Sequence, residues 1–398
     1  MKKLWIVLFL FCTNSFANIC VEINLPENDK YEFDDGLRIE SFDGVSIAAN
    51  ILTPKNTTGE YPTVIFVNSW MLEEHEYLRQ AVELAKKGYQ VLSYSTRGWG
   101  CSEGTVDVIG PKDVKDLSII IDWLYENTNI DKDNVGIAGI SYGGGMTLMA
   151  LAKEPRIKTG FAMSAWASLY EAMFHQDTAR IFWSSVLMST GAILGRVDDV
   201  LKDKFKKLVL SRGKGEVMKW ANERSPIEYI EEVNKRNTPV YISNNFGDNL
   251  FQPNNVMRYF DRLTSPKILD LNQGTHASGE LTGLFTVSNY TFNKLHDWFD
   301  YWLMDKKKES TLIFNRVNIQ TDIEHRRESI DVKDIIKTKS EIFHLNPVKI
   351  FNGEMTKAKR EFLKPIKSKI SSGLDTFAST GIPLISAIIE LLLLDKLF

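Results

Sequence analysis

The sequence lacks the features that mark several functional classes. Its 48 basic and 51 acidic residues nearly balance and are interspersed, so that the formal net charge is -3 and no basic face predicts a nucleic-acid partner. The apolar runs near the two ends, Leu4 to Phe11 and Ile382 to Phe398, are too short or too interrupted by charge for a bilayer about 30 Å thick. We therefore expect neither nucleic-acid binding nor membrane association. What is present, 43% hydrophobic and 25% charged residues in a chain of 398, is typical of a globular protein with one large and one smaller domain.

The first residues have the pattern of a secretory signal peptide. A basic start, Met1 to Lys3, precedes the short apolar run, and the small residues Ser15 and Ala17 predict cleavage before Asn18. Residues 1–17 are then a signal peptide, and the mature protein is secreted or periplasmic. An uncleaved anchor is the alternative.

Cysteine is scarce, and cleavage makes it scarcer. Loss of Cys12 leaves only Cys20 and Cys101, in a compartment that permits disulfides. Two cysteines far apart in the sequence carry no spacing signature, so their pairing is left open.

The hydrophobic pattern of the following residues predicts an α/β fold. Residues 36–52 alternate apolar and polar side chains around Asp43-Gly44, which predicts an antiparallel hairpin. Helical stretches at 76–87 and 113–127 then alternate with short apolar runs, so the rhythm predicts βαβ units in one mostly parallel sheet. The apolar runs have the composition of strands covered on both faces and comprise residues 63–67, 90–94, 134–138, 160–163, 239–243 and 267–271.

Two regions depart from this rhythm. Residues 167–235 have helical periodicity without strand signals, which predicts a helical cap inserted over the carboxyl edge of the sheet. Beyond a helix near 288–304 and the cluster Lys306 to Lys308, strands are expected at 311–319 and 340–350 in a separate region. The predicted units are a core of 18–166 and 236–305, a cap of 167–235 and a C-terminal β-rich region of 309–398.

The strongest chemical signal is the segment Gly139-Ile-Ser141-Tyr-Gly143. It follows a predicted strand and precedes a helical pattern. In such a turn the backbone of the nucleophile is strained, and glycines two residues on either side let strand and helix approach closely. A bare GxSxG pattern is often only a glycine-rich turn, but its position here predicts Ser141 as a nucleophile.

The partners of a nucleophilic serine are expected later in the chain. A serine hydroxyl needs a base within hydrogen-bond reach, the base needs an orienting acid, and after this motif the acid precedes the histidine. Asp248 and His276 each follow a predicted strand, so both are expected at the carboxyl edge of the sheet. Asp261 and Asp270 are weaker candidates, because one lies in a predicted helix and the other in a predicted strand.

The other histidines fit packing or surface roles better, with one exception. His75 follows the first parallel strand and therefore lies near the expected site. The remaining four are His175, His296, His325 and His344.

Acyl transfer also requires hydrogen-bond donors for the developing oxyanion, and loss of one costs about a hundred- to a thousandfold in rate. We predict the backbone N–H groups of Tyr142 and Trp70 as these donors. Tyr142 follows the nucleophile, and Trp70 lies in the loop after the strand at 63–67. Packing against the cap is the alternative role for Trp70.

Three segments carry a family likeness. They are Tyr94-Ser-Thr-Arg97-Gly98-Trp-Gly100-Cys-Ser102-Glu-Gly104, Gly139-Ile-Ser141-Tyr142-Gly143, and Phe246-Gly247-Asp248 followed by Gly274-Thr-His276. Together they resemble the α/β-hydrolase family that includes bacterial Xaa-Pro dipeptidyl-peptidases and the cocaine esterase-like acyl hydrolases. The Arg-Gly-x-Gly-x-Ser-x-Gly segment makes the likeness more specific than a general hydrolase match, and it covers roughly residues 36–305.

The resemblance implies an α/β-hydrolase fold with a helical cap and a C-terminal β jelly-roll, and a serine hydrolase of esters or amides. Two departures matter. The cocaine esterase-like members supply a tyrosine hydroxyl to the oxyanion hole from the loop after the first parallel strand. This chain has Asn68-Ser69-Trp70 there, so a backbone donor is assumed. The C-terminal region is also shorter than a complete jelly-roll.

The sequence therefore predicts an exported serine hydrolase that acts through an acyl-enzyme, as an Xaa-Pro dipeptidyl-peptidase or an acyl esterase. The expected partner is a small ester or peptide, with no cofactor or metal, and homo-oligomer formation is left open. A dipeptidyl-peptidase needs an acid for the free amine, for which Glu171 and Asp177 in the cap are candidates. A noncatalytic hydrolase fold that binds ligands is the alternative from another class.

Overall fold

The computed structural model describes residues 20, 22–55, 59–175, 178–285, 288–306, 310–320 and 327–331. Its strands are β1 (Tyr31–Glu40), β2 (Ser46–Pro54), β3 (Tyr61–Val67), β4 (Gln90–Tyr94), β5 (Ile130–Ile140), β6 (Thr159–Met163), β7 (Phe174–His175), β8 (Thr178–Ala179), β9 (Val240–Asn245), β10 (Lys267–Asn272), β11 (Arg316–Gln320) and β12 (Arg327–Asp331). Its helices are α1 (Leu78–Lys86), α2 (Pro111–Asn127), α3 (Tyr142–Lys153), α4 (Leu169–Met173), α5 (Ile181–Leu194), α6 (Asp199–Val209), α7 (Lys214–Asn222), α8 (Ile230–Arg236), α9 (Pro253–Arg262), α10 (Ser278–Phe285) and α11 (Tyr290–Leu303).

Ten of these strands form one mostly parallel sheet, which confirms the predicted fold class. The order is β1-β2-β4-β3-β5-β6-β9-β10-β11-β12. The strands from β4 to β11 in this order are parallel to one another. Strands β1 and β2 at one end and β12 at the other end pair antiparallel. Strand β4 lies on one side of β3 in the sheet, and the next strand along the chain, β5, lies on the other side of β3. The carboxyl ends of β3 and β5 therefore flank a topological switch point, where ligands bind in open α/β sheets.

Helices cover both faces of the sheet, which explains why β4, β6, β9 and β10 are buried along their whole length. Side chains of α2, α3, α8 and α9 pack on one face, and those of α1, α10 and α11 pack on the other. Strand β5 shows the alternation directly. Val135 and Ile137 belong to the first core, whereas Ala138 and Ile140 belong to the second.

One buried arginine organises the loop that follows β4. Arg97 is 1% exposed, and its guanidinium donates hydrogen bonds of 2.7 and 2.6 Å to the two carboxylate oxygens of Asp116 in α2. It also donates to Asp43 in the turn between β1 and β2. Loss of Asp116 would leave the buried guanidinium with only the partly exposed Asp43, and breaking such a buried ion pair typically destabilises a fold by about 3–5 kcal/mol. The Arg-Gly-x-Gly-x-Ser segment is thus a structural junction in this chain.

The same loop carries the disulfide partner of the N-terminal segment. Gly98 and Gly100 adopt φ values of +83° and +48°, which allows the tight path of the loop. Cys101 at its tip forms a disulfide with Cys20, 81 residues earlier, at a Cα–Cα distance of 5.6 Å. The pairing that the sequence left open is therefore made in the structure.

The chain between β6 and β9 forms a set of helices. We call α4 to α8 the inserted helices; the short ribbon of β7 and β8 lies among them. Helix α5 contains no charged residue, and only its small residues Ser184 and Gly191 are fully buried. Among the described residues, no helix has the length and apolar composition needed to cross a bilayer. The division of the chain into core, cap and C-terminal units stays a prediction.

The strand expected at 311–319 is not in a separate region. Arg316–Gln320 forms β11, which pairs parallel with β10 and extends the main sheet. The reason is that β10 offers an open edge of backbone donors and acceptors, and the nearest downstream β-rich segment satisfies it. Residues 1–17, the expected strand at 340–350 and the apolar terminus at 382–398 lie outside the described residues.

Removal of the Cys20–Cys101 disulfide tests the docking of the N-terminal segment. We expect the double variant Cys20→Ser/Cys101→Ser to lose about 2–5 kcal/mol of unfolding free energy, because the crosslink constrains a long loop in the unfolded chain. Guanidinium denaturation of the oxidised protein, the reduced protein and the variant measures this loss. Equal midpoints for all three would contradict it.

Candidate active site

Ser141 occupies a strained turn between β5 and α3. Its φ is +56°, a conformation that side chains rarely adopt, and its N–H donates to the carbonyl of Met163 at 2.8 Å. Gly139 and Gly143 make the turn sterically feasible. A Cβ on Gly139 would come within 2.6 Å of the Gly143 carbonyl carbon, and one on Gly143 would overlap the carbonyl oxygen of Val67. Strand β5 and helix α3 can approach this closely only because neither position carries a side chain.

The structure brings the three predicted residues together. The Nε2 atom of His276 is 2.8 Å from Ser141 Oγ, and its Nδ1 atom is 2.7 Å from Asp248 Oδ2. The other carboxylate oxygen of Asp248 accepts hydrogen bonds from the N–H groups of Leu250 and Phe251, at 2.9 and 2.7 Å. Asp248 is 2% exposed. The acid is therefore held rigidly, with one oxygen left for the imidazole.

This arrangement has the geometry of a proton relay. With Nδ1–H donated to Asp248, the free lone pair of His276 lies at Nε2 and faces the serine hydroxyl. The imidazole can accept the hydroxyl proton while Asp248 balances the resulting positive charge. Both distances lie within the range required of a nucleophile, a base and an orienting acid.

The two predicted oxyanion donors lie on adjoining elements. Helix α3 begins at Tyr142, so the N–H of Tyr142 has no carbonyl partner within the helix and lies at its positive end. Trp70 follows Ser69, whose N–H and hydroxyl both donate to the carboxyl of Glu76, at 2.6 Å each. Burial raises the pKa of Glu76 to about 7. The loop that carries Trp70 is thus anchored, although the role of its N–H stays a prediction.

The side chain of Tyr142 joins the first turn of α3 to α2 and to the segment before α2. Its hydroxyl donates to Asp113 in α2 at 2.8 Å and accepts from the N–H of Ile109 at 3.1 Å. Burial raises the pKa of Asp113 well above its ordinary value, and the neighbouring acids Asp107 and Asp116 act in the same direction. The tyrosine after the nucleophile is therefore a buried anchor.

The indole of Trp70 packs against the inserted helices. Its Nε1 donates to Thr190 in α5 at 3.2 Å, and its ring lies 4.5 Å from that of Trp99 and 5.6 Å from that of Tyr142. The indole also lines an apolar cavity of about 100 Å³, whose other walls include residues of α4, α5, α6 and α7. Trp70 thus adjoins both Tyr142, next to the nucleophile, and this cavity.

Sequence reasoning missed two aromatic walls of the site. The ring of Phe251 stands edge-on to the His276 imidazole, with centroids 5.1 Å apart, and Trp166 packs on the far side of Phe251 at 4.9 Å. Phe251 lies three residues after Asp248, so its position in the same loop as the predicted acid could have indicated that it lines the site. These rings form an aromatic wall on one side of the imidazole, whose side chain is 18% exposed.

His75 has a different role from the one its position suggested. Its Nε2 is 2.9 Å from both carboxylate oxygens of Asp35 in β1, and its Nδ1 is 3.3 Å from Glu73. Burial disfavours the charged imidazole, but hydrogen bonds that His75 donates to Glu73 and Asp35 outweigh burial and raise the pKa of His75 to about 9. His75 is therefore a cationic link between β1 and the loop after β3.

The remaining histidines stand apart from the triad where they are described. His296 in α11 bonds to Gln80 at 3.1 Å, and burial lowers its pKa to about 4. His175 lies in β7. His325 and His344 fall outside the described residues. Among the residues that the structure covers, no group of three or more His, Cys, Asp or Glu side chains is arranged to hold a metal ion.

Comparison with known proteins adds a family and a fold. Residues 43–278 match the family model described as "X-Pro dipeptidyl-peptidase (S15 family)". An uncharacterized peptidase of Bacillus subtilis, YuxL, is 28% identical over 161 residues, which are 37% of this chain and 23% of that protein. An uncharacterized protein of Pseudomonas aeruginosa is 26% identical over 119 residues, 29% of this chain and 32% of its own. The chain thus spans less than a third of the length of these curated relatives.

A solved structure supports the fold. The acylaminoacyl peptidase of Pyrococcus horikoshii superposes with a TM-score of 0.52 at 18% identity, over 69% of this chain and 42% of that one. At this identity the likeness concerns the fold alone, which is the α/β-hydrolase fold expected from the resemblance.

The pH dependence of stability tests the assignment of His75. Its pKa lies near 9 in the folded protein and near 6.5 when unfolded. The stabilisation is therefore complete below pH 6.5 and is lost as the pH rises through 9. We expect the unfolding free energy of wild type to fall between pH 6.5 and 9 more steeply than that of His75→Gln, measured by denaturant unfolding. Parallel curves would contradict the assignment.

Proposed function

Because the chain belongs to the X-Pro dipeptidyl-peptidase (S15) family, we propose that it is a serine hydrolase that cleaves an ester or amide bond through an acyl-enzyme. One observation carries the proposal. The Ser141 hydroxyl lies 2.8 Å from an imidazole that a buried carboxylate holds at 2.7 Å on its other side. Acyl transfer uses this geometry, and a merely structural serine does not need it.

Each step of the proposed reaction has a residue to perform it. Ser141 Oγ attacks the carbonyl carbon while His276 takes its proton, and the N–H groups of Tyr142 and Trp70 receive the oxyanion. His276 then returns the proton to the leaving alcohol or amine. Water, deprotonated by the same imidazole, attacks the acyl carbon, and the imidazolium returns the proton to Ser141 Oγ as the acyl–oxygen bond breaks and the acid leaves. Asp248 balances the imidazolium in both halves of the reaction.

Two substitutions test the nucleophile and the acid. We expect Ser141→Ala to lower kcat for a p-nitrophenyl ester about a millionfold. Asp248→Asn should lower it about 10⁴-fold, since an amide favours the wrong imidazole tautomer. A fluorophosphonate probe should label wild type and not Ser141→Ala. Absence of labelling in folded wild type would favour the noncatalytic alternative.

For the substrate, we propose an ester or amide with a small apolar acyl group. The proposed oxyanion donor and this apolar cavity share one residue, because the Trp70 indole lines the cavity of about 100 Å³. A cavity of about 150 Å³ is large enough for benzene, so this one suits a chain of a few carbons. The inserted helices would then act as the cap that encloses the acyl group.

The family description supports Xaa-Pro dipeptides as a second substrate class. A polar cavity of about 470 Å³ lies beside Asp248 and includes Glu171 and Arg258 in its wall. The carboxylate of Glu171 forms an ion pair with Arg258 at the exposed rim, so its charge is already partnered. It is therefore a weaker anchor for a free amine. Asp177, the other predicted anchor, lies outside the described residues.

Filling the apolar cavity separates the two substrate classes. Ala221 in α7 lines the cavity and is 3% exposed. In wild type we expect kcat/KM to rise roughly fourfold per added methylene from the acetyl to the butyryl ester, since burial of each contributes about 0.8 kcal/mol. Ala221→Phe should abolish this rise and leave the acetyl ester little affected.

Ala192→Phe is the matched control, because Ala192 is exposed on α5 and should keep the rise. A flat chain-length profile in wild type, together with turnover of an Ala-Pro anilide, would transfer the proposal to the peptidase class.

We also propose that the mature protein is exported. The basic and apolar start of the chain supports cleavage before Asn18. The Cys20–Cys101 disulfide is consistent with an oxidising compartment, since disulfides seldom persist in the cytosol.

A further inference from the structure

A closed group of polar side chains lies directly beneath the His276 loop. Glu280, in the first turn of α10, is completely buried, as are Ser164 after β6 and Ser243 and Asn245 in β9. The proton relay of Ser141, His276 and Asp248 does not use any of them. A buried carboxyl group carries a large desolvation cost, so its presence beside the site requires an explanation.

The hydrogen bonds of this group converge on the carboxylate. Glu280 Oε1 accepts from the hydroxyls of Ser164 and Ser243, at 3.2 and 3.3 Å, and Oε2 accepts from Asn245 Nδ2 at 3.0 Å. The Ser243 hydroxyl in turn accepts from Asn272 Nδ2 at 2.9 Å. Each of these groups can donate, so both carboxylate oxygens of Glu280 have hydrogen-bond donors and neither bond requires a proton from Glu280.

The same network holds the residue that follows His276. The N–H of Ala277 donates to Ser164 Oγ at 3.2 Å, and the carbonyl of Ala277 accepts from the N–H groups of Glu280 and Leu281. Ala277 has a φ of +57°, a strained value that the surrounding bonds must maintain. Glu280 therefore acts on the loop both through Ser164 and through its own backbone.

Glu280 has no basic partner in the described part of the chain. None of the ion pairs formed there includes it, and its hydrogen-bond partners are neutral. Burial raises the pKa of Glu280, and a positive charge on His276 acts in the opposite direction. This interaction is reciprocal, so the carboxylate stabilises the imidazolium as much as the imidazolium stabilises it.

We propose that Glu280 is a second carboxylate of the site, a positioning residue that holds the His276 loop and stabilises the imidazolium that forms during turnover. The role rests on the proposed acyl transfer. Asp248 bonds the imidazole directly, whereas Glu280 acts from behind it through Ser164 and Ala277. Both carboxylates balance the transient positive charge of the His276 imidazolium, in a site bordered by the rings of Phe251 and Trp166.

Other titratable groups near these residues cannot replace Glu280. Around His276 they are Asp248 on the loop after β9 and Arg180, whose guanidinium donates to the carbonyls of Ala172, Asn249 and Leu250. On the elements packed against α10 they include the buried His296 of α11, whose pKa burial lowers to about 4. The surface charges there are Arg79, Glu83, Lys86, Lys294, Asp297 and Asp300.

The test compares two buried carboxylates. Glu280→Gln keeps the shape, and Asn245 Oδ1, which is buried without a partner, can accept from the new amide after a side-chain flip. We expect kcat for a short-chain ester to fall about tenfold with KM nearly unchanged. The acid limb of the kcat/KM profile should move to lower pH by about half a unit, because the protonated imidazole loses a neighbouring negative charge.

Asp270→Asn is the matched control. Asp270 is also fully buried, but it accepts from Tyr241 and Asn318 at 2.7 Å each, away from the His276 loop. This variant should keep both kcat and the acid limb. Ser164→Ala, which cuts the path to Ala277 but keeps the charge, should lower kcat without moving the acid limb.

A readout without turnover keeps the inference separate from the proposed function. The His276 Cε1–H resonance, assigned from the His276→Gln spectrum, reports imidazole protonation directly in wild type and Glu280→Gln. A lower titration midpoint in the variant supports the proposal even if no ester is hydrolysed. An unchanged midpoint and an unchanged acid limb in folded Glu280→Gln would overturn it. If that variant fails to fold, normal kcat in Ser164→Ala would also overturn it.

Discussion

The close approach of α3 to β3 and β5 is the constraint on which the rest of the site depends. It forces Ser141 into a positive φ and brings its hydroxyl out of the sheet at the switch point. Gly139 and Gly143 are required because a Cβ at either would meet backbone atoms. The same approach places the start of α3, whose first N–H groups have no carbonyl partner within the helix, beside Ser141. The strained φ of Ser141, the position of its hydroxyl and the positive helix end beside it therefore all result from one packing contact.

Buried polar and ionisable side chains restrict the loops around this contact. Arg97 and Asp116 join the loop after β4 to α2, and Asp113 in the same helix holds Tyr142. The desolvation cost of these groups is offset by their hydrogen bonds and ion pairs only in one arrangement. They therefore restrict the conformation of the loops more than they stabilise the fold. Behind His276 a separate buried acid, Glu280, completes the pattern.

Local patterns in the chain were sufficient to predict much of this. The apolar runs and intervening helices predicted a mostly parallel sheet, because burial on both faces leaves a recognisable composition. Ser141, Asp248 and His276 were identified because each follows a strand, and parallel strands end at one edge of a sheet. Other features were missed for a physical reason. The partner of His75 is Asp35, 40 residues earlier. The expected strand at 311–319 pairs with β10 and extends the main sheet, a pairing that no local pattern predicts.

What the sequence by itself determined is the order of strands and helices, the strained turn around Ser141 and the positions of the acid and the histidine after their strands. Each depends on a few neighbouring residues, whose backbone preferences and hydrophobic spacing act locally. Only the tertiary structure decided the pairing of Cys20 with Cys101, the cavity beside Trp70 and the burial of Glu280 beneath His276. These result from contacts between distant segments, and desolvation and pairing energies depend on surroundings that exist only once the chain has packed.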